Sequence, residues 1–528
     1  RRRSDGVAPA LHEAVPPALH DAVALALHDA VPPALHDASS TGTELSMTDS
    51  SPSPRTSQPS SAAGDAPDSA TSVKWYQGIS KYQWLVLLIA SLGWVFDVFE
   101  GQIFVASMRD AMPQLLGDAE DGIVRFWTQV ALGSFLLGGA VGGVFFGVLS
   151  DRIGRSKTMI ITILFYSLFT CVTAFATEAW HMVVLRFFVA MGVGGEWAVA
   201  SSMVAEVMPQ RSRAVMGSIF HASSVFGTYL ATMVGFFVIA ASPWGENTWR
   251  LGFLIGVVPA LLTVWIRWKL HEPEQWIKAR ERVAENPEQK QGRIAELFDS
   301  QNLRNTLVGV SLSTIGLATF WGAHIYGKNA LMEKKRGDLL VQAGLTADSP
   351  AAEKADVFEA NAGDIKRAEM LSMFVNTTGG GIGLLLFGWI SNRLGRKGAF
   401  GFYHVGAFVI SLVFFMFIVG GGASLALIWI TLPVFGFLTL GMHAGYAVYF
   451  PELYPTRLRG TGAGFCFNMG RLVTFPMLLL TGWMERPESE GGLGYSLAQA
   501  ASMLSWLFLL GVVVVLFARE TRGSELPE

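Results

Sequence analysis

Asp97, Glu100, Arg186, Glu196 and Arg471 stand inside long apolar runs of this chain. A charge held in hydrocarbon is costly, so each is a functional candidate by default. Asp97 and Glu100 are spaced i, i+3 and share a helix face. Counting about 1.5 Å per residue from the outer helix ends puts Glu100 about 12 Å deep and Arg186 about 9 Å deep. Where the two helices are neighbours, either acid can pair with Arg186 at this depth, and such a carboxylate can exchange a proton when a substrate competes for the arginine. The alternative is a static salt bridge that orients helices. Arg471 lies near the middle of its run, with Asn468 one turn earlier. A planar guanidinium matches a carboxylate through two parallel N–H bonds, so Arg471 is expected to bind a substrate carboxylate. Its alternative is an internal bridge to Asp97 or Glu100. Glu196, in VGGEWA, is either a second proton site or a helix-packing hydrogen bonder. Asn376, Trp321 and Tyr326 are expected to line a polar–aromatic cavity. His221, His324 and His443 read as structural hydrogen bonders.

A second set of charges occurs twice. GVLSDRIGRSK runs from Gly147 to Lys157, and GWISNRLGRKG from Gly388 to Gly398, with Asp151 and Asn392 in the same place 241 positions apart. Glu206-Val-Met-Pro-Gln-Arg-Ser-Arg213 and Glu452-Leu-Tyr-Pro-Thr-Arg-Leu-Arg459 repeat at a nearly equal offset of 246. Two motifs at almost one offset imply a duplicated half, the architecture of many secondary transporters. The expected chemistry is a charge clamp built from Asp151, Arg152, Arg155, Glu206 and Arg213, with Asn392, Arg393, Arg396, Glu452 and Arg459 as its second copy. Arg155 should meet Glu206, and Arg396 should meet Glu452. These pairs would close the inner gate and break as the halves rock. The plainer reading is that the loops only set topology. Asn392 replaces an acid, so the second gate is expected to hold less tightly.

The elements that must carry these residues follow from hydropathy. The chain of 528 residues is 51% hydrophobic and 15% charged, against about 25% charged in soluble proteins. Its mean hydropathy is +0.39. Runs near 20 apolar residues cross a bilayer as helices. Twelve are expected, roughly at 84–108, 127–150, 157–177, 180–204, 214–240, 250–270, 304–328, 368–391, 398–420, 423–448, 460–483 and 494–518. The fold expected is therefore an all-α membrane protein in two six-helix halves, 80–270 and 304–518. Segment 271–303 joins them, 329–367 is an external loop able to form a small helical cap, and 519–528 is a tail. Lys and Arg cluster in the 2–3, 4–5, 8–9 and 10–11 loops, which places those loops and both termini in the cytoplasm of a plasma-membrane protein.

Residues 1–79 are polar and of low complexity, a composition that cannot bury a core and should be disordered. Leu11, Leu19, Leu27 and Leu35 each open an octad reading LH[ED]A. Translation is expected to begin at Met47. No signal-peptide apolar core is evident there. The net charge of −3 gives no reason to expect nucleic acid. Cys171 and Cys466, both in apolar runs, read as buried small residues. There is no G-x-S-x-G, P-loop or H-E-x-x-H, so no enzyme, no cofactor, no metal and no ATP-driven pump is expected.

With these motifs in view, the chain resembles the major facilitator superfamily over about residues 80–523. The 147–157 loop resembles the superfamily's loop 2–3 signature. The R-x5-G-x-G-G-E run from Arg186 to Glu196, Glu272-Pro-Glu-Gln-Trp276 and Glu520-Thr-Arg-Gly523 resemble its sugar-porter and metabolite:proton symporter branches, including carriers of organic acids, sialate-like and lactate-like substrates. Ala214 stands where Gly is usual, and no span-5 glutamine motif appears around His221, which counts against hexoses. The resemblance brings spans 1 and 4 together at the cavity. With the two intramembrane acids favouring symport over a facilitator and Arg471 and Arg186 suited to an anion, the function expected is proton-coupled symport of a small organic anion, a monocarboxylate or acidic sugar, by alternating access; a monomer is expected. A neutral sugar or polyol carrier and a non-transporting receptor on the same fold are the alternatives.

Overall fold

The computed structural model describes residues 74–528 apart from 118, 240–242, 259, 287–288, 328, 347–348, 487 and 489–490. The octads and Met47 lie outside these residues. Every regular element among the described residues is helical, and Thr71–Glu528 is one compact unit. Nine helical runs among those residues are long and apolar enough to cross a bilayer. They amount to twelve passages, because one run holds two and two further passages are broken. Spans 1 to 4 are Lys81–Met108, Gly122–Ile153, Arg155–Thr173 and Ala179–Val207. Span 5 is Gln210–Ala222 followed by Ser224–Val234, and span 6 is Thr248–Ile255 followed by Ala260–Lys269. Span 7 is Leu303–Thr319, continued by a π-turn at Phe320–His324. The run Ala362–Val419 turns at Gly395, whose φ of 81° leaves the helical region and divides span 8 from span 9. Spans 10 to 12 are Leu425–Leu453, Thr456–Glu485 and Leu497–Phe517.

Helix starts are set by local chemistry. Ser80, Ser424 and Ser496 cap spans 1, 10 and 12, each accepting a backbone N–H from the first turn. Between spans 7 and 8, Ala330–Gln342 and Ala351–Ala360 are helical. The segment between the halves carries a helix at Glu274–Glu285 and a 3-10 turn at Ile294–Phe298.

The duplication governs packing as well as sequence. Gly138 and Gly142 of span 2 lie against the backbone of Phe187 and Met191 in span 4. Gly379 and Gly383, each 241 positions later, lie against Pro433 and Phe437 in span 10. Small residues permit such close crossings in lipid, where no hydrophobic effect drives helices together. The halves meet along spans 2 and 11 and along spans 5 and 8. A Cβ on Gly147 would fall 2.6 Å from the Gly460 carbonyl oxygen, and one on Gly388 2.6 Å from that of Ala214. Both repeated loops lie at one end of the bundle, the signature end.

Candidate functional site

The intramembrane charges separate into two groups. In the first half, Arg186 forms a buried ion pair with Glu100. Thr170 Oγ1 donates to Glu100 at 3.1 Å, and Arg186 Nη2 donates to Thr173 Oγ1 at 2.6 Å. The Phe253 and Phe104 rings lie 4.8 and 5.3 Å from the guanidinium carbon. Spans 1, 3, 4 and 6 thus enclose the pair, and Arg186 is not presented to the second half. Asp97 shares the face but sits one turn away, and it makes no ion pair among the described residues. Both its oxygens lack a partner at hydrogen-bonding geometry, although the Tyr166 hydroxyl of span 3 faces them. Glu196 accepts from Thr162 Oγ1 at 2.5 Å, joining spans 3 and 4.

In the second half, Arg471 is half-buried and makes no ion pair among the described residues. Its guanidinium is seated on Gly139 of span 2, across the interface, 5.6 Å from the Phe467 ring centre. Asp97 is near enough to feel this charge without bonding it. The bridge to Asp97 or Glu100 weighed from sequence is therefore absent, since Glu100 is taken by Arg186. Asn468 packs on Gly143 and donates to the carbonyl oxygens of Gly194 (3.3 Å) and Gly464 (3.0 Å). It ties span 11 to span 4.

The expected cavity of Asn376, Trp321 and Tyr326 does not assemble. Asn376 is fully buried within the second half and donates to the His324 carbonyl at 3.3 Å, while His324 Nδ1 meets Thr439 Oγ1 at 2.8 Å. Tyr326 is half-buried and packs against the hydrophobic core. Trp321 packs edge-on against Phe320 at 5.6 Å. The π-turn at Phe320–His324 contains Trp321 and shifts Tyr326 out of the α-helical register assumed from sequence, whereas Asn376, on span 8, is drawn to the His324 carbonyl.

An aromatic contact between the halves has no counterpart among the sequence expectations. Trp197 of span 4 stacks on Phe467 of span 11 with ring centres 3.8 Å apart. Trp197 Nε1 points to His221 Nδ1 at 3.3 Å, and Trp94 Nε1 donates to the His221 carbonyl at 3.2 Å. Phe467 is one turn nearer the signature end than Arg471, so this layer lies between Arg471 and that end. The available signal was adjacency, because Trp197 follows Glu196 and Phe467 precedes Asn468.

At the signature end Arg155 is fully buried. Its Nη1 donates to Asp151 at 2.5 Å and to Ser150 Oγ at 3.0 Å. Its Nη2 and Nε donate to the two oxygens of Glu206 at 2.8 and 3.2 Å, and Nη2 also reaches the Thr456 carbonyl at 3.0 Å. Asp151 accepts the N–H groups of Gly460 (3.0 Å) and Thr461 (2.8 Å) and the Thr461 hydroxyl (2.6 Å). These are the first groups of span 11, and a helix N-terminus favours an anion. Arg459 completes the crossing by pairing with Glu206 at 3.0 Å.

The second copy stays in its own half. Arg396 donates to the two oxygens of Glu452 at 2.9 and 3.0 Å and to Ser391 Oγ at 2.9 Å. Asn392 receives only Arg396, at 3.4 Å. Thr521 of the tail donates to Glu452 at 2.6 Å. Two further acids cap the following helices. Glu272 accepts the N–H of Arg155 at 2.6 Å, and Glu520 those of Arg396 (2.8 Å) and Lys397 (3.1 Å). Partial burial pushes the Glu520 carboxyl up, but the N–H groups of Arg396, Arg522 and Lys397 outweigh it and hold it below its ordinary value. Arg213 donates to the Ala205 carbonyl at 3.2 Å rather than to an acid. Arg152 reaches only the Gln291 carbonyl, at 3.4 Å, and Arg393 is exposed. These three do not join the clamp.

The Major Facilitator Superfamily profile matches residues 119–477. A putative metabolite transport protein of Haemophilus influenzae is 26% identical over 450 residues, covering 85% of this chain and 99% of that protein. A cis,cis-muconate transport protein of Acinetobacter baylyi is 28% identical over 392 residues, covering 74% and 84%. The solved structure of the proton:xylose symporter XylE bound to 6-bromo-6-deoxy-D-glucose superposes with a TM-score of 0.63. It covers 84% of this chain and 98% of its own at 16% identity, a likeness of fold. The paired halves, the repeated charged loops and this match agree: the chain belongs to the Major Facilitator Superfamily, as a multi-pass membrane transporter of metabolites and not an enzyme.

Proposed function

We propose that this protein is a proton-coupled symporter of a small organic anion, a monocarboxylate or an acidic sugar. It acts as a monomer in the plasma membrane, with the signature end and both termini in the cytoplasm. The observation that carries this reading is Arg471, an intramembrane arginine at the interface of the halves with no acid bonded to it among the described residues. A guanidinium so placed is suited to a substrate carboxylate. Without substrate, Asp97 and Arg471 balance each other through space. When a substrate carboxylate takes Arg471, Asp97 is left uncompensated and takes a proton from the outer side. Anion and proton then cross together, and the proton leaves when Arg471 is free again. The Glu100–Arg186 pair is already neutral and enclosed, so it orients spans 1 and 4. Release inward requires the Trp197–Phe467 stack and the Asp151–Thr461 crossing to separate. The muconate transport protein among the relatives is named for a carboxylate substrate.

The test is substrate-induced proton flux in proteoliposomes, with a panel of monocarboxylates, acidic sugars, muconate and neutral sugars. One anion should alkalinise the external medium, and Asp97→Asn should lower that flux by about 100-fold, the scale of a lost proton-transfer group. Tracer exchange without any pH change would identify a facilitator and sink the coupling. Arg471→Lys with unchanged affinity would remove the carboxylate assignment.

A further inference from the structure

We infer that Gly139 of span 2 is a positioning residue of the anion site: it seats the Arg471 guanidinium, and only while spans 2 and 11 touch. This rests on the assignment of Arg471 to the substrate carboxylate. The two spans close on one another along a seam between the halves. A Cβ on Gly133 would fall 2.7 Å from the Phe475 ring, and one on Gly139 2.0 Å from Arg471 Nη1. One on Gly143 would fall 1.9 Å from Asn468 Nδ2, and one on Gly147 2.6 Å from the Gly460 carbonyl oxygen. These contacts run from position 133 to position 147 of span 2, about 21 Å at 1.5 Å per residue, which is most of the hydrocarbon thickness. Arg471 is the one charged side chain in these four contacts.

The opposite seam shows what such a place ordinarily holds. Val225 of span 5 lies 246 positions before Arg471, and Gly381 of span 8 lies 242 positions after Gly139. A Cβ on Gly381 would fall 3.0 Å from the Val225 side chain. The two contacts are images of each other to within one residue, and in one of them an arginine stands where the other has a valine. Arg471 is half-buried and makes no ion pair among the described residues, so no charge fixes its head. The Phe467 ring covers the guanidinium from the signature end, its centre 5.6 Å from the guanidinium carbon. A long side chain without such support would sample many rotamers. The close approach at Gly139 confines it, because any Cβ at that position would occupy the seat. A guanidinium held in place binds a carboxylate through two parallel N–H bonds at lower entropic cost. Gly139 belongs to one half and Arg471 to the other, so parting of the seam removes the seat. The anion therefore binds more tightly with the seam closed, and that difference in affinity lets it bias the position of the halves.

The experiment measures KM and kcat for tracer uptake in proteoliposomes, with the anion panel above and cis,cis-muconate as the first probe. Gly139→Ala should raise KM at least about 10-fold, the scale of a lost charge-assisted hydrogen bond, with kcat changed far less. Gly133→Ala meets Phe475 in the same seam but no arginine, and its KM should stay within about 2-fold of wild type. In an Arg471→Lys background no Nη1 is left to meet the new Cβ, so adding Gly139→Ala should change KM by less than about 2-fold. An unchanged KM in Gly139→Ala would overturn the seat alone. An equal rise in Gly133→Ala, or an undiminished effect in the lysine background, would reduce Gly139 to a packing residue. If Gly139→Ala does not fold, the rate at which phenylglyoxal modifies Arg471 is compared between wild type and Asp151→Asn, which loosens the same seam. A several-fold rise is expected there, and equal rates would overturn the seat. Arg471→Lys with an unchanged KM, or a wild type that takes up no anion of the panel, would overturn the carboxylate assignment and the seat with it.

Discussion

The two signature loops come from one ancestral half, yet they do different work. In the first, Asp151 takes three donors from the opposite half, and Glu206 takes Arg459 from there as well. In the second, Asn392 holds one long bond and Glu452 is satisfied by Arg396 and the tail. A carboxylate only accepts, and it binds several N–H groups with charge assistance that an amide lacks. The acid-to-amide difference accounts for the Asp151 crossing, while the Glu206–Arg459 pair forms and its same-type counterpart Glu452–Arg213 does not, so residue type accounts for only part of the contrast. The first loop joins the halves; the second braces its own half. Two identical clamps would join that end at two places, whereas one strong crossing can be broken in a single step.

The largest test of this contrast removes the arginines. Arg155→Ala leaves Asp151 and Glu206 buried without their shared cation, and breaking a buried pair costs about 3–5 kcal/mol. Arg396→Ala strands only Glu452 and should fall near the low end, about 3 kcal/mol. Thermal unfolding of the purified proteins would rank them, and equal losses would erase the asymmetry. A smaller effect is expected from Asp151→Asn, which makes the first copy resemble the second. Losing the charged acceptor for span 11 should cost about 1–3 kcal/mol. Hydrogen exchange should rise in peptides covering Gly460 and Thr461, while those covering 388–398 stay unchanged. The smallest effect belongs to Glu520, which is exposed. Its folded pKa lies below the ordinary carboxylate value. Its contribution is thus complete above that ordinary value and is lost only as pH falls through the lower, folded one. Glu520→Gln should cost a few tenths of a kcal/mol at neutral pH. That difference should vanish in acid, as followed by melting temperature against pH.

Much of this was legible along the chain. The pairs Arg155–Glu206 and Arg396–Glu452 follow from two motifs repeated at nearly one offset, and the structure brings both together. The spans follow from apolar length, although the breaks in spans 5 and 6 do not, because hydropathy is blind to where a helix is interrupted. Trp321 and Tyr326 left their expected register because a π-turn has no hydropathy signal, and Asn376 turned to the His324 carbonyl, a partner on another helix that spacing cannot show. The pairing of Arg186 was narrowed to two acids on one face. Height along the helix then chose Glu100, and that height depends on how spans 1 and 4 are staggered.

Sequence alone determined the duplicated halves, the charged loops between spans and the identity of the costly intramembrane charges. These are properties of residue type and spacing, which hydrocarbon and water read directly. Tertiary structure decided that Asp151 reaches across to span 11, that Trp197 meets Phe467, and that Arg471 rests on Gly139 rather than on an acid. Each of these depends on the rotation and stagger of one helix against another. That relation is set by close packing summed over many residues, and no local spacing encodes it.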